Sequence, residues 1–143
     1  MPQNLKPIQY AEPTGATPQQ RVGHSILPFE ETLVRLKEAI QAEGFLLLHE
    51  IDTQMILGRG GYAIPSTRQL FFFHPRYMVR LLEANPSAVM EAPLRLLVME
   101  MPDGTVVVRQ PDAGTALASY VGLASLGSEL SQLQQRLEAT VSA

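Results

Sequence analysis

Three short runs, FLLL at 45–48, LFFF at 70–73 and LRLLVM at 94–99, constrain this chain more than any other feature. A strand with one wet face alternates apolar and polar residues, whereas these runs are apolar on both alternating faces. Each therefore needs cover on both sides. Phe29, Leu33, Leu36 and Ile40 recur at helical spacing behind Pro28, with Glu30 and Glu31 at the positive end of the helix dipole and Gly44 as a stop. Pro75 opens a second helix that buries Met78, Leu81 and Leu82. Leu130, Leu133, Leu137 and Val141 form one stripe on a third helix, from Ser128 to Val141.

The remaining elements are short. QRVGHSIL at 20–27 alternates and reads as a first strand, and Asp52 caps a brief helix that ends among Gly58, Gly60 and Gly61. Asp103-Gly104 joins LRLLVMEM to TVVVRQ as a hairpin, because this dipeptide tolerates the positive backbone angles of a tight turn. A further helical piece around Ala113 to Val121 leads through glycines into the last helix. Residues 1–19, with four prolines, read as an extended or mobile arm, and residues 20–143 as a single domain. The expected fold is α+β in two layers: a mainly antiparallel sheet of four to five strands with helices packed on one face. The other face is left to a dimer partner, a ligand, or both.

Composition narrows the function classes. The chain carries a formal charge of −3, and its eleven Lys and Arg are scattered rather than clustered, which argues against nucleic acid as a partner. No apolar run approaches the roughly 20 residues of a membrane span, and the N-terminus lacks a basic, apolar leader; the expectation is no membrane and a cytoplasmic setting. With no cysteine, thiolate nucleophiles and thiolate-held metals are excluded.

The candidate site is the corner FFFHPR, 71–76. His74 stands at the N-cap position before Pro75, where Ser, Thr, Asp or Asn is the usual structural choice. Arg76 puts a cation at the positive end of the helix dipole, and Arg80 follows one turn on. Free N–H groups of the first turn with two arginines suit an anion, and Phe72 and Phe73 offer apolar walls. One alternative is purely structural: His74 bonds the backbone while Arg76 and Arg80 pair with surface acids such as Glu83 or Glu91. His24 and His49 sit on strands expected to be adjacent, but a three-histidine metal site with His74 has no supporting spacing. LGRGGYAIP lacks the ending of a phosphate loop, and the methionines read as core filler.

PFEETLVRLKEAIQAEGFLLLHEID, the strand ending in FHP, EAPLRLLVME and PDGTVVV stand in an order that resembles the DUF302 family, a domain of unknown function, over about residues 20–141. The resemblance implies helices on an antiparallel or mixed sheet, commonly a homodimer, and no agreed activity. Many members carry G-x-C-N-P or F-G-N-P where this chain has FFHP, so a thiol-dependent role does not carry over. The resemblance also places this corner beside a cleft on the sheet.

Together these readings predict a dimeric protein that binds a small anionic or apolar ligand or cofactor, with His74 as anchor and Arg76 and Arg80 as clamp. Haem, with His74 as axial ligand, is the cofactor most open to test. An enzyme using His74 as general acid or base, and a plain dimerisation module, stand as alternatives.

Overall fold

The computed structural model describes residues 4–12 and 19–142. Its order is β1 (Lys6–Pro7), β2 (Gln20–Ser25), α1 (Phe29–Ala42), β3 (Leu46–Asp52), α2 (Thr53–Arg59), β4 (Tyr62–Ala63), β5 (Thr67–Phe73) and α3 (Pro75–Ala84). A 3-10 helix (Pro86–Glu91), β6 (Leu94–Glu100), β7 (Val106–Pro111), α4 (Ala113–Leu117) and α5 (Ala124–Ser142) follow. Five strands make one antiparallel sheet in the order β2-β7-β6-β5-β3. This is the α+β architecture expected from the sequence.

Register shows why the central runs are apolar throughout. Phe72 lies opposite Leu94, Leu70 opposite Leu96 and Val98 opposite Val108, all buried beneath α1 and α5. The intervening residues Phe71, Leu97, Met99 and Val107 occupy the reverse face. α1 buries Phe29, Leu33, Leu36 and Ile40, and α5 buries Leu126, Leu130, Leu133, Leu137 and Val141. Each such side chain contributes about 1.5–3 kcal/mol by leaving water. Among the described residues, the reverse face has no helical layer of comparable length. Near the hairpin, residues 8–12 flank Val107 and Met101, and β1 pairs in parallel with β4 through Lys6 N–H to Gly61 O at 2.9 Å and Ile8 N–H to Ala63 O at 3.0 Å.

Three expectations need correction. Leu82 is 50% exposed, because α3 turns Tyr77, Met78 and Leu81 inward and leaves Leu82 on its outer flank. The last helix begins at Ala124, not Ser128; Gly127 stays within it, since close packing on α4 outweighs the roughly 1 kcal/mol helix penalty of glycine. β2 and β3 are opposite edges of the sheet, so four strand spacings alone put His24 and His49 at least roughly 19 Å apart. Part of the arm, residues 1–3 and 13–18, lies outside the described residues. Among those described, no helix is long and apolar enough to cross a membrane.

Candidate functional site

β5 delivers His74 to the start of α3 in an extended conformation, and its Nδ1 accepts the backbone N–H of Arg76 at 3.1 Å. The histidine thus performs the capping that an Asn or Asp side chain performs elsewhere. Its ring packs edge-on to Phe45, with centroids 5.4 Å apart, and tilted against Tyr77 at 5.3 Å. α1 ends against the other ring nitrogen. A Cβ on Gly44, whose φ is +84°, would sit 3.5 Å from Nε2. A haem iron bound through Nε2 requires a proton on Nδ1, whereas the cap requires Nδ1 bare. Haem ligation through Nε2 and this cap are therefore mutually exclusive states of the ring.

The other candidate residues do not converge on His74. Arg80 forms a two-pronged pair with Glu129 of α5, at 2.9 and 2.5 Å, which holds the Glu129 carboxyl below its usual range. The acid that fills this clamp comes from the chain itself. Arg76 is exposed, with its guanidinium 5.9 Å from the Tyr77 ring centroid. Phe72 is fully buried, and Phe73 is buried in the same core and packs edge-on to Phe45. Of the five residues singled out in the sequence, Arg80 borders an open cavity with Glu83 and Gly122, and Phe73 lines a less open one between the end of the sheet and α4.

That cavity lies at the end of the sheet where β5 and β7 finish and β6 begins, with a volume of about 270 Å³. Phe71 and Arg95 are directly opposed on β5 and β6 and form its floor with Pro111. Leu81, Leu94 and Leu130 reach it from the helix-side core, and Ala113, Ala116 and Leu117 of α4 wall it from above. Its charged lining residues are Glu91 and Arg95, both exposed. The Tyr120 hydroxyl donates to Glu91 Oε2 at 2.7 Å, which ties the 3-10 helix to the segment after α4 and holds the phenol above its usual pKa.

α4 is itself held by a polar cluster that the sequence reading overlooked. Asp112 caps it, accepting from the Thr115 N–H at 2.9 Å, and also accepts from Ser131 at 2.8 Å and Arg21 at 3.1 Å. Arg21 meets Glu138 as well, at 2.8 Å. Burial would raise the Asp112 carboxyl, but the hydrogen bonds from Ser131, Thr115 and Arg21 outweigh it and bring the pKa down to about 2. Fully buried Gln134 completes the cluster, accepting from the Ala113 N–H at 3.0 Å and donating to Pro111 O at 2.7 Å. The D-x-x-T spacing of Asp112 and Thr115 is a cap signature that was visible in the sequence. Their partners on β2 and α5 had no local signal. Among the described residues, no group of three or more His, Asp or Glu is placed to hold a metal.

Comparison with known proteins agrees with this architecture. A family profile described as domain of unknown function DUF302 matches residues 21–143. The crystal structure of an uncharacterized conserved DUF302 protein from Bacillus stearothermophilus superimposes with a TM-score of 0.80 at 18% identity. The match covers 87% of this chain and 99% of that one, and at this identity it speaks for the fold alone. No curated protein matches the chain in sequence.

Proposed function

The chain belongs to the DUF302 family, a membership that carries a fold but no chemistry, and from that premise we propose that it is a small-ligand-binding domain whose site is the cavity at the end of the sheet. The observation that carries this is a space of about 270 Å³ walled by Phe71, Phe73, Leu81, Leu94, Leu117 and Leu130. The space opens to solvent beside Glu91 and Arg95 while its inner walls are apolar, the usual make-up of a small-molecule site. A cavity of about 150 Å³ accepts benzene, which scales to a ligand of roughly ten non-hydrogen atoms here. In this reading His74 serves the site indirectly, by capping the helix that supplies Leu81.

The homodimer belongs to the same proposal. On the edge strand β3, Leu46 and Leu48 are each 53% exposed, and among the described residues no long helix lies over the sheet face away from α1 and α5. A second copy is the occupant that the apolar runs favour.

Thermal unfolding with a neutral, apolar probe such as octanamide tests the cavity. Near tenfold over Kd, the wild type should gain about 1.4 kcal/mol. Ala116→Phe fills the space from the partly exposed side of α4 and should abolish the gain. An equal shift in both proteins would place the probe elsewhere and sink the assignment.

A further inference from the structure

We propose that the ligand of this cavity is a monoanionic carboxylate with an apolar tail, its carboxylate held by Arg95. The inference rests on the ligand-binding reading above and adds the chemical class of the ligand. Among the described residues, Arg21, Arg68, Arg80 and Arg136 each hold a carboxylate of the protein, whereas Arg95 makes no ion pair and no side-chain hydrogen bond. It interrupts the apolar run from Leu94 to Met99, directly opposite Phe71 on the cavity floor. A guanidinium offers a planar fork of donors that matches a carboxylate.

The second charged group at the rim sharpens the class. Glu91 keeps its negative charge but has one carboxylate oxygen engaged by the Tyr120 hydroxyl at 2.7 Å, whereas no described side chain engages the Arg95 guanidinium. The Glu91 carboxylate on the same rim disfavours a second negative charge on the ligand, which selects a monoanion over a dicarboxylate or a phosphate. The leucines inside take the tail. A volume of about 270 Å³ fits a chain of roughly eight carbons with its head group, scaling again from the benzene-sized cavity.

Isothermal titration of the full chain with octanoate, octanamide and 2-aminooctanoate, repeated with Arg95→Gln and Glu91→Gln, decides the matter. Octanoate should bind about fivefold more tightly than octanamide, the upper end for an exposed ion pair. That preference should shrink in high salt and vanish in Arg95→Gln. Equal binding of octanoate and octanamide to the wild type would overturn the carboxylate assignment and leave the cavity reading standing. If neither binds, the cavity reading itself fails. Tighter binding of 2-aminooctanoate than octanoate, with the gain lost in Glu91→Gln, would overturn the monoanion and point to a zwitterion. Arg95 is exposed and unpartnered, so unchanged melting of Arg95→Gln separates loss of the head-group contact from loss of the fold.

Discussion

His74 performs two tasks that a smaller cap would divide. Its Nδ1 satisfies a helix N–H, and its ring fills the space between Phe45, Tyr77 and the end of α1 at Gly44. His74→Ala should therefore cost about 1–2 kcal/mol in urea unfolding, with His74→Asn recovering the capping part but not the packing part. Added haem should give the same Soret spectrum with wild type and His74→Ala; a band that depends on His74 would restore the ligand role and displace the cap. The sequence marks this corner as unusual, because neither His74 nor Arg76 is a conventional helix start. It does not reveal what the unusual residues do. Arg80 finds Glu129 across 49 residues, and no local pattern records that pairing. Arg95 was passed over in the sequence, because its run LRLLVM reads first as a strand apolar on both faces.

Two elements set the position of the cavity roof. α4 lies so close to α5 that a Cβ on Gly127 would come within 3.3 Å of Gly114 Cα and Leu117 Cβ, a tight approach that the two glycines allow. Asp112 then fastens the N-terminus of α4 to β2 and α5. The folded carboxyl titrates at about 2 against an ordinary value of 3.8, so the stabilisation is complete above about pH 4 and is lost as pH falls towards 2. Asp112→Asn should be less stable than wild type at neutral pH by about 2 kcal/mol, with the gap closing between pH 4 and 2. Unfolding curves across that range measure it, and a gap independent of pH would show that the charge contributes nothing. Helix and strand identities were readable because their apolar spacing is local. The start of α5 was not, because whether Gly127 ends a helix or lets another approach depends on α4, which is remote in sequence.

At the level of the whole molecule, the two-faced runs at 45–48, 70–73 and 94–99 were sufficient to anticipate a sheet buried by helices on one side. Strand order was hidden, since nothing in QRVGHSIL says that its partner is the last strand rather than the next. The dimer is the expectation that belongs to this scale. Sedimentation at micromolar concentration should show two copies, and Leu46→Glu with Leu48→Glu should give a monomer of unchanged melting temperature. A wild-type monomer with an intact fold would contradict it. The distant pairing of β2 also has a consequence for synthesis. Arg21 must wait for Glu138, 117 residues later, a delay of roughly 6 to 25 s at ordinary ribosomal rates. Until β7 is made, the nascent β2 strand has its ladder hydrogen bonds unmade. The domain can close only once α5 has cleared the ribosomal exit tunnel, whereas its earlier helices can form before then.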